Sequence, residues 1–320
     1  MQRIKSIFKT FSDRYLSTSG QVTRIIFFAV IALLLVVGSF AGFYWYDRFY
    51  SPQQSVEQIT VAQAEQAVQA DPTNLKTRLV LAETYLVYGR YEDALSHATQ
   101  VFTEDPSLQG SWLVMGVASY FIGKPADAIT PLTNYVDAFK DEEMPALDKR
   151  LQEASYYLGL SYLDLKQPDK AILPLEQTVG WSQLDADAMY KLGLAYAGVK
   201  RYEDAVNMYA KAISFVPNFA EAYQAMADAY DLGGKPELGD YARGMLAYSK
   251  KDYPAALKLL LKSAKAFPDY APIFAGLGLT YEAQNDLVNA KASFETAVTL
   301  DPNNYTAKRG IERVVALLNK

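Results

Sequence analysis

One spacing recurs along this chain and limits its possible folds more than any other feature. Prolines stand at positions 72 and 106, and again at 268 and 302, a separation of 34 in both cases. Three pairs of alanines keep the same separation: Ala94 and Ala128, Ala171 and Ala205, and Ala256 and Ala290. A period between about 20 and 50 residues indicates similar units that stack on one another. The sequence therefore predicts a repeat protein.

Each unit reads as a pair of helices. Asp-Pro dipeptides follow helical stretches at 71–74, 105–108 and 301–304, and such dipeptides end helices. The stretch RYEDAL at 90–95 recurs as RYEDAV at 201–206, and a looser copy ends at Leu257. Its acidic residues fit the first turn of a helix, where the helix dipole favours negative charge. We therefore expect these stretches to open the second helix of a unit.

This pattern resembles the tetratricopeptide repeat. Small residues stand at the eighth position of the units, and alanines stand at the twentieth. The copies that carry the resemblance begin at Leu75, Gln109, Gln152, Ala186 and Ala271. The resemblance implies an all-α fold in which antiparallel helix pairs stack into an α-solenoid. A bulky residue at Gly193 or Gly278 is expected to cost about 1–3 kcal/mol, because the two helices approach closely there.

The first irregularity is a gap that is too long. The tyrosine of RYEDAL is Tyr91 and that of RYEDAV is Tyr202, a separation that exceeds three periods by nine. The surplus lies between Ala128 and Ala171 and is placed at 139–150. This insertion is either a longer solvated turn or a docking loop, for which the acidic candidates are Asp141, Glu142 and Glu143.

The second irregularity is the gap of 51 between Ala205 and Ala256, which is one period plus seventeen. The stretches 220–234 and 237–250 both read as first helices. We therefore expect a lone helix between complete repeats, and a break in the superhelix that separates 56–219 from 237–319.

Taken in order, these observations predict the domain organisation. The segments are 1–24, basic; 25–46, a transmembrane helix; 47–74, a linker and capping helix; 75–219, an array with units near 75–108, 109–140, 152–185 and 186–219; 220–236, an extra helix; 237–304, a pair of repeats; and 305–320, a C-terminal capping helix.

The N-terminal region predicts a membrane anchor. Residues 25–46 contain no charge, and 22 residues of helix span roughly 33 Å, enough for the hydrocarbon core. Residues 1–50 carry six basic and two acidic side chains, while the remainder has a net charge of −9. The positive-inside bias predicts a cytoplasmic N-terminus and an extracytoplasmic, periplasmic array at the inner or plasma membrane. The candidate interface residues are Arg24, Tyr44, Trp45 and Tyr46.

Two alternatives remain open in this region. Ser39 and Ala41 form a passable cleavage site, so the apolar run is also compatible with a signal peptide. The segment 2–16 reads either as a helix lying on the inner leaflet or as a disordered basic tail.

The resemblance also implies a groove that binds a peptide or helix, lined by first-helix side chains. The groove candidates are Leu79, Glu83, Leu113, Val117, Tyr120, Tyr156, Leu160, Leu163, Tyr190 and Leu194, with Leu86 and Phe121 beside them. The Lys/Asn/Arg clamp of the chaperone-tail class is absent from the matching positions. Some leucines at the ninth position are equally compatible with core packing. Five nearby carboxylates either favour a basic partner or form a solvated face: Glu153, Asp187, Glu221, Asp228 and Asp231.

Nothing in the sequence indicates catalysis or a cofactor. The chain has no cysteine and one histidine, His97, which excludes thiolate chemistry and His clusters. No phosphate-binding glycine loop or EF-hand spacing is present, and the acidic body argues against nucleic acid. We expect a non-enzymatic scaffold or assembly factor of a membrane complex with protein partners, without cofactors, metals or small-molecule substrates. The alternatives are a transient chaperone-like or translocon-accessory factor, or a component of cell-wall or pilus assembly.

Overall fold

The computed structural model describes residues 19–49, 55–141, 145–182 and 184–319. Within these residues the fold is all-helical, with one short 3₁₀ turn at Pro145–Leu147 and no strand. The helices are α1 (Ser19–Phe49), α2 (Val56–Ala70), α3 (Leu75–Val87), α4 (Tyr91–Glu104), α5 (Gly110–Phe121), α6 (Pro125–Phe139), α7 (Lys149–Asp164), α8 (Pro168–Trp181), α9 (Ala186–Gly198), α10 (Tyr202–Phe215), α11 (Ala220–Leu232), α12 (Pro236–Ser249), α13 (Tyr253–Ala266), α14 (Ala271–Ala283), α15 (Leu287–Leu300) and α16 (Tyr305–Leu318).

The chain divides into two compact units, residues 1–60 and residues 61–320. The first unit contains α1. In the described residues, one helix is long and apolar enough to cross a membrane, with a span at Phe28–Tyr46 and a mean hydropathy of 2.1. None of that span is buried inside the protein. A signal sequence would have the same length and composition. These properties therefore identify α1 as an apolar helix near the N-terminus and do not distinguish a membrane anchor from a signal sequence.

In the second unit, one turn conformation recurs inside every helix pair. Its residue has a positive φ, at Gly89, Gly123, Lys166, Lys200, Gly234, Lys251 and Asn285. The next residue then donates its amide to the carbonyl five residues earlier, as Arg90 does to Tyr85 and Arg201 to Tyr196, at 2.8 and 2.9 Å. The turn reverses the chain between the first and second helix. Successive turns are one period apart except at the two irregular gaps, so they mark the units of the array.

Helix starts follow from short polar side chains. Asn74 and Asp185 each accept a backbone amide of the first turn, as N-cap residues do. Asp148, Asp252, Asp286 and Asn304 do the same.

The core of each unit is a close contact between its helices. Gly116, Gly159 and Gly278 stand in first helices, and a large side chain of the second helix packs onto each of them: Leu132, Leu175 and Phe294, respectively. These three side chains are fully buried. Phe294 also packs against Gly310 of α16, so α16 covers part of the last unit.

The residues between Ala205 and Ala256 form two overlapping helix pairs. The turn at Gly234 joins α11 to α12, and the turn at Lys251 joins α12 to α13. Gly239 of α12 lies against Ala227 of α11, which is the contact of a second helix. Gly244 of the same α12 lies against Leu260 of α13, which is the contact of a first helix. Helix α12 is therefore shared by both pairs.

This sharing corrects the predicted extra helix at 220–236. Helix α11 does not stand alone, because α12 completes its pair. The hydrophobic core does not divide there either, since one cluster of buried side chains runs from Ala171 to Leu277. The expected division of the array into 56–219 and 237–319 is absent from the packing. Helix α12 packs closely against both neighbours, through Gly239 against α11 and through Gly244 against α13.

The nine-residue insertion lies between α6 and α7. Helix α6 ends at Phe139, and α7 begins after the N-cap Asp148. Asp141 is exposed, whereas Glu142 and Glu143 lie outside the described residues. The docking role of this loop stays a prediction.

Candidate functional site

Three carboxylates repeat at the same position of consecutive first helices. Glu153 lies on α7, Asp187 on α9 and Glu221 on α11, each one period from the next. All three side chains are exposed to solvent. No basic side chain in the described parts of the chain forms an ion pair with any of them. We call these residues the carboxylate row.

Two tyrosines stand between the carboxylates. The hydroxyl of Tyr156 donates a hydrogen bond to the carboxylate of Asp187 on the next first helix. Burial, followed by this hydrogen bond, raises the pKa of Tyr156 well above its ordinary value. Burial also raises the pKa of Tyr190, with further contributions from Glu221 and Asp187. Acidic and aromatic side chains therefore alternate along this face.

Protein atoms crowd around Glu153 on this face. Its side chain is exposed, yet burial raises the pKa of Glu153 against the opposing effect of Arg150. Tyr157, half-buried beside it, has a pKa raised to about 12, chiefly by burial. Both side chains therefore lie among protein atoms while solvent still reaches them.

Aromatic rings extend this surface towards the N-terminal units. Tyr91 and Phe121 are stacked, with centroids 4.5 Å apart and planes 6° from parallel. Phe121 meets Tyr157 at 5.2 Å, and Tyr120 meets the same ring at 5.2 Å. Tyr157 in turn lies 5.4 Å from Tyr156. A continuous band of rings thus leads from α4 through α5 to the carboxylate row.

The predicted groove residues separate into two groups. Leu113, Val117 and Leu160 are buried, with exposed fractions of 5%, 1% and 7%, so they belong to the core and their prediction as groove residues is wrong. Close packing of neighbouring first helices explains this, since Leu113 and Val117 lie in the cluster around Leu132. The half-buried candidates are Leu79, Glu83, Tyr120, Tyr156, Leu163, Tyr190 and Leu194.

Two of the half-buried candidates are partly engaged within the chain. Glu83 forms an ion pair with Arg150, at 3.2 Å between Oε1 and Nη1. The ring of Tyr190 lies 5.0 Å from that of Phe219 and 5.9 Å from that of Tyr209. Tyr190 therefore has a packing role as well as a place on the surface.

The sequence reasoning missed Tyr157 and assigned no role to the arginine of the RYED stretches. Tyr157 stands at the sixth position of its unit, outside the positions that the resemblance implies for the groove. The Arg90 guanidinium lies 4.1 Å from the centroid of the Tyr85 ring, and Arg201 lies 4.3 Å from that of Tyr196. The recurrence of an arginine at the sixteenth position of two units, each with a tyrosine five positions before it, was the available signal.

The remaining predictions concern the membrane interface, metal binding and the single histidine. Tyr44, Trp45 and Tyr46 are exposed on α1, and the Arg24 side chain lies outside the described residues. In the described part of the chain, no group of three acidic or histidine side chains could hold a metal ion. His97 is half-buried, and burial lowers its pKa.

Comparison with known proteins agrees with this geometry. Three tetratricopeptide repeat models match the chain, at 153–179, 186–219 and 241–305. The BBSome complex member BBS4 of Bos taurus is 28% identical over 166 residues, 52% of this chain and 30% of that protein. Hsp70-Hsp90 organizing protein 2 of Arabidopsis thaliana is 22% identical over 263 residues, 79% of this chain and 40% of that protein. The chain thus spans less than half the length of these relatives.

A solved structure of MamA AMB-1 shares the fold, with a TM-score of 0.50 and 19% identity over 57% of this chain and 94% of that one. The matches in sequence point to a scaffold for protein–protein interaction. The three matched segments of the helical array belong to the tetratricopeptide repeat family.

Proposed function

We propose that this chain is a membrane-anchored scaffold that holds a partner protein of a membrane complex by a basic, extended segment. The carboxylate row, with Tyr156 and Tyr190 between its members, carries this proposal. Because Glu153, Asp187 and Glu221 repeat with the period of the array, they present negative charge along a line and not at one point. An extended segment with several basic side chains matches that arrangement.

The chemistry of recognition combines charge with aromatic contact. Lysine or arginine side chains of the partner pair with the carboxylates, and each exposed pair contributes up to about 1 kcal/mol. Their methylene stems lie against the tyrosine rings, where a cation over a ring adds about 0.5–1 kcal/mol. The net charge of −9 on residues 51–320 attracts a basic partner from a distance.

The apolar helix α1 supports the membrane part of the proposal. Its span at Phe28–Tyr46 follows a basic N-terminal segment, and the positive-inside bias supports a cytoplasmic N-terminus with the array on the other side of the membrane. Anchoring raises the local concentration of the array near partners in the same membrane. The bovine relative is named as a complex member, which supports a role in an assembly.

Peptide binding to the full chain in nanodiscs tests the recognition step. The probe is a fluorescein-labelled nonapeptide with three lysines separated by alanine pairs, and binding is followed by fluorescence anisotropy. We expect the double variant Glu153→Gln and Glu221→Gln to weaken binding by about threefold to thirtyfold, as the loss of two exposed ion pairs predicts. Added salt should weaken the wild-type interaction in the same direction.

The matched control neutralises two exposed carboxylates of second helices, Glu92→Gln and Asp127→Asn. This control should bind the peptide as the wild type does. Equal weakening by both double variants would show a non-specific effect of net charge and would refute recognition by the carboxylate row.

A reporter fused after Lys320 tests the location. Alkaline phosphatase is active only outside the cytoplasm of a bacterial host, and green fluorescent protein exported in the unfolded state is dark there. We expect active phosphatase and dark fluorescent protein, and the reverse pattern would refute the proposed topology.

A further inference from the structure

A cavity of about 420 Å³ lies beside the shared helix α12. Tyr241, Met245 and Tyr248 of α12 form its floor. Helix α10 forms one wall through Ile213 and Ser214, while α14 and the start of α16 form the other. The carboxylate row contributes nothing to this cavity.

The floor residues occupy groove positions. Counted from 237, where the unit formed by α12 and α13 begins, Tyr241, Met245 and Tyr248 stand at the fifth, ninth and twelfth positions. In the unit that begins at 152, Tyr156 and Leu163 hold the fifth and twelfth. The later units therefore have a groove of their own, and its floor starts on α12.

This second groove draws on both layers of helices. One of its walls is α10, which is the second helix of its unit, whereas the carboxylate row lies on first helices only. The reason is the double role of α12, which acts as a second helix towards α11 and as a first helix towards α13. The seventeen surplus residues add one helix to the array. The groove positions of the units after α12 therefore lie next to second helices of the units before it.

The cavity differs from the first groove in charge. Its lining residues all lie within the described range 210–306, and none of them carries a formal charge. Aromatic, methionine and small side chains dominate the lining. Tyr241 is half-buried, and burial raises the pKa of Tyr241 well above its ordinary value.

We propose that this cavity binds an uncharged segment of a partner protein by taking up one large apolar side chain, such as tryptophan. A charged side chain would lose its hydration without finding an opposite charge. The volume is in the range of pockets that enclose small ligands, and the mixed aromatic and thioether floor suits an aromatic ring. At the rim, Asn304 accepts the amide of Ala307 through Oδ1, at 2.9 Å, which leaves its Nδ2 as a donor for the backbone of the segment.

This site goes beyond the proposed function, because it selects a different chemistry and includes second-helix side chains that the carboxylate row lacks. The two grooves together would let one chain hold a basic segment and an uncharged apolar segment at the same time. Failure of either binding reaction leaves the other untouched, so the two proposals are tested separately.

The experiment observes the methyl signal of Met245 in the full chain, reconstituted in nanodiscs and labelled with ¹³C at the methionine methyl groups. A Met245→Leu variant assigns the signal. The probe is an uncharged heptapeptide with a central tryptophan between glycines and serines. We expect this peptide to shift the Met245 signal more than any other methionine signal, because the indole ring lies next to that methyl group.

Two variants distinguish the cavity from the rest of the surface. Ser214 and Thr306 are exposed at its opposite rims, so Ser214→Trp and Thr306→Trp fill it from two sides without changing a core residue. Each should abolish the shift. Thr296→Trp places the same side chain at an exposed position of α15 outside the cavity and should leave the shift unchanged.

Three results would overturn the proposal. The first is the absence of a Met245 shift up to the solubility limit of the tryptophan peptide. The second is an equal shift with the lysine nonapeptide. The third is a shift produced by the short-chain lipid dihexanoylphosphatidylcholine but not by the peptide, which would assign the cavity to an acyl chain.

Discussion

The carboxylate of Asp240 lies 2.6 Å from the ammonium group of Lys262, and this ion pair joins α12 to α13. Asp240 also accepts from Arg243, at 2.8 Å, and Arg243 reaches Asp231 of α11 at 2.7 Å. The Asp240 side chain is only 9% exposed, whereas Lys262 is largely exposed. The buried carboxylate of Asp240 therefore connects α12 to α13 directly and to α11 through Arg243.

Neutralisation of Asp240 should destabilise the array. We expect Asp240→Asn to lower the free energy of unfolding by about 1–3 kcal/mol, because both cationic partners lose the negative charge and an amide donor replaces one of the two acceptor oxygens. Thermal unfolding followed by circular dichroism measures this loss. Asp228→Asn on the exposed face of α11 is the control, and an equal loss in both variants would contradict a special role of Asp240.

The same residue predicts a pH dependence. Burial raises the pKa of Asp240, but the hydrogen bonds from Lys262 and Arg243 outweigh it and hold the pKa below its ordinary value. A depressed pKa in the folded state adds stability above the unfolded value of about 3.9, and this stability is lost as the pH falls through the folded pKa. The difference in melting temperature between wild type and Asp240→Asn should therefore shrink below about pH 4. A difference that stays constant down to acid unfolding would refute the linkage.

Gly278 is a close helix contact of the last unit. A β-carbon at this position would lie 2.5 Å from Cδ1 of Phe294, and a β-carbon at Gly310 would lie 2.5 Å from Cε2 of the same ring. Because the ring has no room to move, Gly278→Ala should cost about 1–3 kcal/mol by overpacking. Chemical denaturation measures the change.

Gly180 provides the control for that substitution. It lies in α8, and a β-carbon there would meet no atom within 4 Å. Gly180→Ala should therefore raise the stability by up to about 1 kcal/mol, because alanine favours the helix. A neutral Gly278→Ala variant would show that the packing is looser than the structure indicates.

The arginine of the first RYED stretch connects three helices, because Glu65 lies on α2, Tyr85 on α3 and Asp93 on α4. Arg90 covers the Tyr85 ring, while its guanidinium pairs with Asp93 and Glu65 at 2.7 and 3.2 Å. The Tyr85 hydroxyl donates to Glu65 at 2.7 Å. A double-mutant cycle with Arg90→Gln and Tyr85→Leu should give a coupling free energy of about 0.5–1 kcal/mol, which is the usual range for an exposed cation above a ring. A coupling within error of zero would show that the arginine only bridges carboxylates.

The helix pairs could be predicted from the sequence because their positions are set by local rules. Glycine at the eighth position, as at Gly278, and Asx residues at helix starts act within one unit and repeat with the period. The burial of Leu113 and Val117 could not be predicted in the same way, since it depends on how closely neighbouring units approach. A leucine or valine at these first-helix positions is compatible both with burial in the core and with exposure in a groove.

The shared helix is harder to recognise for a physical reason. Gly239 and Gly244 lie five positions apart on one helix, and each satisfies the contact rule of a different pair. Reading the helix as the start of a new unit explains Gly244 and leaves Gly239 without a role. Packing against both neighbours showed that the seventeen surplus residues extend the array and do not interrupt it.

That interpretation predicts the result of a deletion. Removal of residues 236–252 joins Lys235 to Tyr253 and restores a separation of one period between Ala205 and Ala256. In the shortened chain, Tyr253 takes the place that Tyr202 holds in the preceding unit, and Leu260 takes the place of Tyr209. Helix α13 then has every residue needed to act as the second helix of α11. We therefore expect a cooperative thermal transition and an unchanged helix content per residue, measured by circular dichroism.

Binding should change selectively in the shortened chain. The lysine nonapeptide should bind as it does to the wild type, because Glu153, Asp187 and Glu221 keep their positions. A fluorescein-labelled form of the tryptophan heptapeptide should show no binding by anisotropy, because the floor of its cavity is removed with α12. A chain that unfolds without cooperativity would show that α12 is essential to the core, and retained binding of the tryptophan peptide would place its site elsewhere. The presence of the single helix α12 therefore decides which helices line the groove of the later units.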